Sequence, residues 1–367
     1  MSLKVRQAVI MAGGEGTRLR PLTNTRPKPL LPVLGRPCIE YTIRSMVNAG
    51  VEEVFLALGY RANDIVAALG DGEELGAKIR YSFEEEPMGT AGAVKLLEDR
   101  LDDVFMVGSG DTLTDADLSS LVAMHFNRSA MATMGLTEVE RPEQFGIVGI
   151  SSDGRVQRFK EKPRPEEVFS NVINSGTYVL SKKILELVPE GRKYDFSKDL
   201  FPDVLARGLP LYATRLEGYW KDIGRPHDLL EANLKMAEMQ GEPTFIPGLT
   251  TEGPIVARDA SGEGGMVVGP SFLDDGSWIG KGATVASSCL GKGVLIEGAA
   301  VVRSSLLLDG CIVSEAASVT DCVIGKNCVI GKGVSLSNSV LGDDVVIEGP
   351  QKLEGVTRQT EDPQRSC

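Results

Sequence analysis

No stretch of this chain approaches the roughly 18 uninterrupted apolar residues of a membrane-spanning helix, so no span is expected. A surplus of positive charge is missing too: 39 Lys and Arg face 51 Asp and Glu, a net charge of −12. That balance argues against nucleic acid or an anionic membrane as the main partner. The N-terminus has no basic region followed by a long apolar segment and a cleavage site, so export is not expected either. The six cysteines (Cys38, Cys289, Cys311, Cys322, Cys328, Cys367) form no Cys-x-x-Cys pair, and only His125 and His227 could join them. They read as reduced, structural thiols in a cytoplasmic protein.

A length of 367 residues suggests two domains, and 42% apolar residues suffices for a core. Near the start, the apolar run Ala8-Val9-Ile10-Met11-Ala12 empties into Gly13-Gly14-Glu15-Gly16-Thr17-Arg18-Leu19-Arg20 and then Pro27-Lys28-Pro29-Leu30. Glycines let backbone approach an anion closely, with successive N–H groups pointing inward as a nest. Arg18 can grip phosphate oxygens as a fork, and Lys28 can act as a point charge. No Gly-Lys-Ser/Thr follows, so this is not an ATPase P-loop, and Gly-x-Gly-x-x-Gly is absent. A glycine run alone would mark only a tight strand-to-loop turn. Here it sits beside fixed cations in an acidic chain, which reads as a local anion pocket.

The first part of the chain alternates. Residues 5–11, 54–58, 79–83 and 104–107 read as strands; 39–49, 63–69 and 90–99 have helical spacing, the first stopping at Gly50. Alternation predicts an α/β fold, a Rossmann-like, mostly parallel sheet with helices on both faces. Ligands bind such sheets at the carboxyl ends of strands, where the glycine loop and Asp111 fall. Residues 239–265 are rich in Gly, Pro and Glu and read as a linker. From 266 to 350 an apolar residue returns every five or six positions: Val268, Ile279, Val285, Leu290, Ile296, Val302 and onward to Ile347. A period near six fits three short strands per coil of a parallel β-helix, roughly four to five coils of about 18 residues. A β-sandwich would need hairpin turns and longer spacing. The four cysteines between 289 and 328 are expected to pack as small apolar groups, and 351–367 as a polar, fraying tail.

The string from Gly13 to Leu30 resembles the signature of the sugar-nucleotide pyrophosphorylases, or sugar-1-phosphate nucleotidylyltransferases, and the repeats resemble the left-handed hexapeptide β-helix. The resemblance covers nearly the whole chain, with a catalytic domain over 1–238. It implies attack by a sugar 1-phosphate oxygen on the α-phosphorus of a nucleoside triphosphate, with pyrophosphate leaving. Such catalysis is mostly positioning and charge neutralisation, with Mg²⁺ as the expected cofactor. By that likeness Met11, Gly13, Gly14, Gly16 and Thr17 bind the nucleotide, Arg18 meets the β- and γ-phosphates, and Lys28 the α-phosphate. Asp111 and Asp222 match the metal-binding aspartates; either one alone would read as a turn or cap. Gly146, Glu161, Lys162 and Asn174 match the sugar-phosphate segments, Glu161 at sugar hydroxyls and Lys162 at the sugar phosphate.

The base loop falls at Glu84–Gly92, with Gly89 and Thr90 at the start of a helix. Several relatives that use thymine or uracil carry glutamine where this chain has Glu84. Guanine offers N1–H and N2–H₂ side by side, and a carboxylate accepts both. That favours GTP with mannose 1-phosphate over a thymidylyl or uridylyl transfer to glucose 1-phosphate, although backbone contacts could also read the base. A second, acyl-transfer activity would need a histidine base, and no histidine lies in the repeats. A non-catalytic regulatory subunit would be expected to lack one of Arg18, Lys28, Asp111 and Asp222, all of which are present. The β-helix then serves assembly or regulation, with a homo-oligomer expected.

Overall fold

The computed structural model describes residues 4–84 and 86–360. The chain divides into two compact units. One holds Cys38–Asp222 with the chain up to Glu15; the other holds Gly16–Pro37 with the chain from Ile223 onward.

The first unit is an α/β layer structure. Its strands are β1 (Gln7–Ala12), β2 (Glu53–Leu58), β3 (Lys78–Phe83), β4 (Val104–Ser109), β5 (Thr112–Thr114), β6 (Ala132–Glu138), β7 (Gly146–Ile150), β8 (Val156–Glu161), β9 (Val172–Ser181), β10 (Leu211–Arg215) and β11 (Trp220–Asp222). Its helices are α1 (Cys38–Asn48), α2 (Ala62–Leu69), α3 (Gly89–Lys95), α4 (Ser119–Asn127) and α5 (Phe201–Ala206). The main sheet runs β8-β7-β9-β4-β1-β2-β3, with β6 on β9 and β10 on β6. The neighbours β4, β1, β2 and β3 are parallel, as the strand–helix alternation implies. The far half is antiparallel around β9, because strands there follow one another without crossover helices. Val9, Phe55, Phe105, Val107, Phe196 and Phe201 are all nearly inaccessible and anchor the core.

α1 ends where expected: Gly50 takes φ +104° and donates to the Val47 carbonyl at 2.9 Å. The helix expected over 90–99 is shorter. It stops at Lys95, whose ammonium turns back to the Leu185 carbonyl (3.1 Å) and Glu98 (2.6 Å), and residues 98–100 tighten into a 3₁₀ turn.

The second unit contains the β-helix and helix α6 (Pro226–Gln240). Short strands stack into three all-parallel sheets of seven, seven and six strands. This is the left-handed β-helix of hexapeptide type, and its extent corrects the sequence reading. The supposed linker already carries strands: Leu249–Glu252 pairs with Gly265–Val268, and Ile255–Ala257 with Ser271–Leu273. Lys352–Glu354 and Thr357–Arg358 close the far end, so strand pairing continues past residue 350 into the supposed tail; residues 361–367, Cys367 among them, lie outside the described residues. Glycine-rich composition misled because small residues are what the turns require. Corners recur every 17 residues, as in Ser287, Ser304, Asp321 and Asn338, each with positive φ. Gly276, Gly293, Gly310, Asn327 and Asp344 form a second such column. Val267, not Val268, takes the inner position, in line with Val285, Val302, Val319 and Leu336.

A second column adds hydrogen bonds to this apolar prism. Ser288 N donates to Ser271 Oγ, Ser305 N to Ser288 Oγ, and Cys322 N to Ser305 Oγ, at 3.1–3.2 Å. Cys289, Cys311, Cys322 and Cys328 are buried and in no disulfide, as is Cys38 of the first unit. No helix among the described residues is long and apolar enough to cross a membrane.

Candidate active site

In the α/β unit, the carboxyl edge of the parallel half and the strand pair beside it gather half of the expected residues. Met11, the last residue but one of β1, stands opposite Ala57 and Ser109, and its carbonyl accepts from Gly110 N at 2.9 Å. Gly13 and Gly59 approach backbone to backbone. A Cβ on Gly13 would stand 3.2 Å from Gly59 N, and one on Gly59 would stand 2.9 Å from Gly13 O. Gly59 was not anticipated, because nothing local marks it as the partner of the glycine loop. Gly14 faces open space.

Glu84 follows β3. Its Oε2 accepts from Met88 N at 3.0 Å, and its Oε1 lies 3.4 Å from where a Cβ on Gly13 would be. One oxygen therefore closes the base loop while the other faces the glycine loop. Burial pushes the carboxyl above its ordinary range, opposed by the Met88 amide. Glu85, in the same loop, lies outside the described residues. Gly89 has φ +74°, and a Cβ there would meet Tyr194 O at 2.8 Å. The Thr90 hydroxyl accepts from Phe196 N (2.9 Å) and contacts Asp195 Oδ1 (3.4 Å), so it ties the base loop to residues 195–196.

Asp111 and Asp222 are brought onto adjoining strand ends. β5 begins at Thr112, and β11 pairs with it antiparallel, setting Asp222 directly opposite Thr112. Ser109 Oγ donates to Asp111 Oδ1. No group of three or more His, Cys, Asp or Glu among the described residues could hold a metal. Two half-buried carboxylates still fit Mg²⁺, which commonly takes one or two carboxylates and completes its shell with water and substrate phosphate.

The antiparallel half carries the sugar-phosphate candidates. Gly146 pairs directly with Glu161 in the β7–β8 register. A Cβ on Gly146 would fall 2.8 Å from Glu161 Oε2 and 2.8 Å from the Phe159 ring, so any larger residue would force these side chains to shift. Burial pushes the Glu161 carboxyl up; Lys162 and then Lys198 oppose this, and Asp195 adds to it. Lys162 takes φ +44°, an uncommon conformation for a non-glycine residue, and donates its N–H to the Phe145 carbonyl at 3.0 Å. Asn174 sits at an irregularity in the β9–β6 register. Its Nδ2 donates to Tyr178 OH (2.8 Å) and Ser197 Oγ (3.2 Å), while its Oδ1 accepts from Gly176 N (2.9 Å). Both amide hydrogens are thus used, so a sugar contact by Asn174 would fall to its second carbonyl lone pair. Tyr178, Ser197, Lys198 and Asp195 escaped the sequence reading. So did Trp220, whose indole donates to Ser175 O at 2.9 Å and meets Phe145 edge-on at 5.7 Å.

The remaining candidates belong to the second unit. Gly16 takes φ +63°, and a Cβ there would press 3.0 Å from Lys28 Cβ. Thr23 Oγ donates to Gly16 O at 2.9 Å. Thr17 and Arg18 occupy a 3₁₀ turn closed by buried Leu19; Arg18 is exposed, whereas Lys28 is only 8% exposed. Back in the first unit, His125 of α4 is a core residue and no site candidate, its nitrogens 3.1 Å from Thr133 Oγ and Ser181 Oγ, and burial drops its pKa to about 4.

Residues 7–239 match the nucleotidyl transferase model, and 267–357 match the GMPPB C-terminal domain. The chain belongs to the nucleotidyl transferase family, and within it to the enzymes that couple a nucleotide to a sugar 1-phosphate. A mannose-1-phosphate guanylyltransferase of Mycobacterium tuberculosis is 34% identical, over 75% of this chain and 77% of its own length. A UTP–glucose-1-phosphate uridylyltransferase of Synechocystis is 31% identical, over 76% of this chain and 81% of its own. A putative glucose-1-phosphate thymidylyltransferase of Bacillus anthracis, solved with sucrose, superposes with a TM-score of 0.57 at 29% identity, covering 62% of this chain and 94% of its own. The family and its class of reaction are therefore common ground, while the relatives' names divide over base and sugar.

Proposed function

We propose that this chain transfers a guanylyl group from GTP to mannose 1-phosphate, giving GDP-mannose and pyrophosphate. The observation that carries the choice of base is Glu84. Its carboxylate stands beside the glycine loop with Oε1 turned toward Gly13. A carboxylate satisfies the paired N1–H and N2–H₂ donors of guanine, whereas uracil and thymine offer a single N3–H beside carbonyls that a carboxylate repels.

In this reading the sugar phosphate oxygen forms a bond to the α-phosphorus as the bond to the β-phosphate bridging oxygen breaks. Backbone N–H groups of Gly13, Gly14 and Gly16 hold the triphosphate. Arg18 neutralises charge on the departing pyrophosphate, and Lys28 on the α-phosphate, where negative charge crowds most. Lys162 holds the sugar phosphate, and Glu161 accepts from sugar hydroxyls. Asp111 and Asp222 are the residues that would hold Mg²⁺, which when bound supplies charge neutralisation and orients the phosphates. We place the reaction in the cytoplasm, in a homo-oligomer assembled through the β-helix, the catalytic domain or both.

The test is turnover with four triphosphates against mannose, glucose and N-acetylglucosamine 1-phosphates, read as pyrophosphate release. GTP with mannose 1-phosphate is the expected best pair. UTP or dTTP with glucose 1-phosphate as the best pair would overturn the Glu84 reading. No turnover with any pair would support a regulatory subunit.

A further inference from the structure

One corner of the β-helix carries alternating charge at 17-residue intervals: Asp275, Lys292, Asp309, Lys326, Asp343. The charges engage coil to coil. Lys292 Nζ faces Asp275 Oδ2 at 3.7 Å, and its backbone N–H donates to Asp309 Oδ1 at 3.1 Å. Lys326 Nζ meets Asp309 Oδ2 at 2.7 Å, and its N–H donates to Asp343 Oδ1 at 2.8 Å. The next rung is position 360, a threonine, so the β-helix itself supplies no further cation in this column.

The cation that meets Asp343 comes instead from the N-terminal signature segment. Arg26 Nη2 pairs with Asp343 Oδ2, and Thr25 Oγ donates to the same oxygen at 2.7 Å. Asn24 Nδ2 donates to Gln359 Oε1 at 2.6 Å. Pro21 packs on Gly342, where a Cβ would stand 3.1 Å from its own Cβ. The pair differs from the exposed rungs, since the Arg26 and Asp343 side chains are only 12% and 9% accessible. Arg26 Nη1 is buried with no hydrogen-bond partner among the described residues, so its charge leans on Asp343. The other end of the segment is fastened as well. Arg258, paired with Asp274 at 2.6 Å, donates to Leu34 O at 3.0 Å, and Asn233 Oδ1 accepts from Leu34 N at 2.9 Å.

We propose that Asp343 is a positioning residue for the nucleotide reaction: through Arg26 and Thr25 it sets the segment that presents Arg18 and Lys28, making the β-helix part of the catalytic apparatus. The proposal rests on the nucleotidyl-transfer roles given above to Arg18 and Lys28. Removing Asp343 leaves a buried guanidinium without its counter-charge, and the segment must shift to rehydrate it. Displacements of an ångström in a phosphate clamp cost up to about 10²-fold in rate.

The test compares D343A, R26A and R26K with K292A, an exposed rung of the same ladder, in the full-length protein. D343A and R26A are expected to raise KM for the triphosphate by about tenfold or more and leave KM for the sugar phosphate within about twofold. R26K should recover part of the loss, and K292A should match the unaltered protein. Amide hydrogen exchange over residues 16–31 should quicken in D343A while the remaining coils keep their protection. Unchanged exchange in that segment, with unchanged triphosphate KM, would overturn the proposal. Exchange is read without substrate, so quickened exchange in an enzyme lacking all turnover would sustain the positioning contact and count against the function reading instead.

Discussion

The α/β unit and the β-helix use the same residue types in opposite ways. In the β-helix, glycine and other small residues recur every 17 positions at corners, and polar rungs engage the same position of the next coil, as in the Ser271–Ser288–Ser305 ladder. In the α/β unit, the informative glycines occur singly. Gly13 exists for Gly59, and Gly146 exists for the Glu161 carboxylate. Burial raises the carboxyls of Glu84 and Glu161, and Lys162 holds a left-handed backbone. Regularity marks the scaffold, whereas unrepeated strain and half-satisfied charge fall on the residues proposed to meet substrate.

That contrast is broken most sharply by removing charge from the site. K28A and D111A should each lower turnover by about 10²–10³-fold, equivalent to about 3–4 kcal/mol of transition-state stabilisation, with melting temperature nearly retained. Near-normal pyrophosphate release from K28A would contradict its role. Next in size, G146A drives a methyl against Glu161 and Phe159. Crowding of this kind costs about 1–3 kcal/mol, and we expect KM for the sugar phosphate to rise roughly tenfold, measured against unchanged KM for the triphosphate.

Acidity sharpens the comparison further. Because burial raises the Glu84 pKa, this group protonates earlier than an ordinary glutamate as pH falls. A raised carboxyl pKa means that ionised Glu84 costs stability at neutral pH, a cost relieved as the pH drops through the folded-state pKa. GTP recognition has the opposite sign, so KM for GTP should rise as the pH falls from neutrality, beginning at a higher pH than an ordinary glutamate would give. A KM that stays flat would remove the charge from the reading. The smallest effects belong to the scaffold. S305A leaves the Cys322 N–H unpaired and should cost about 1–3 kcal/mol in denaturant unfolding with no change in kcat. C322S should be close to neutral, because Cys322 Sγ already reaches Thr320 O at 3.1 Å, as Ser288 and Ser305 reach their own i−2 carbonyls.

The sequence announces whatever is local or periodic. β1 running into Gly13-Gly14, Asp111 after β4 and the near-six repeat are all legible, because each rests on neighbouring residues or a fixed interval. Glu161 over Gly146 is half legible: the segments are recognisable, while their cross-strand register is not. What stays hidden depends on long-range pairing. Thr90 meets Asp195 and Phe196 more than a hundred residues on, and Arg26 meets Asp343 across 317. The first coils were missed for a different reason. Between 249 and 265 the core takes Ile255 but elsewhere small residues such as Ala260 and Gly265, so the apolar period fades where the strands still pair.

The proposed choice of guanine rests on the carboxylate at position 84. Its most direct test is the ratio of kcat/KM for GTP over dTTP in the unaltered enzyme and in E84Q, at saturating mannose 1-phosphate. Losing charge-assisted acceptance from two guanine donors, at about 1.5–3 kcal/mol, should cut that ratio roughly 10- to 100-fold. A ratio that stays the same in E84Q would contradict the claim and leave base choice to the backbone of the loop.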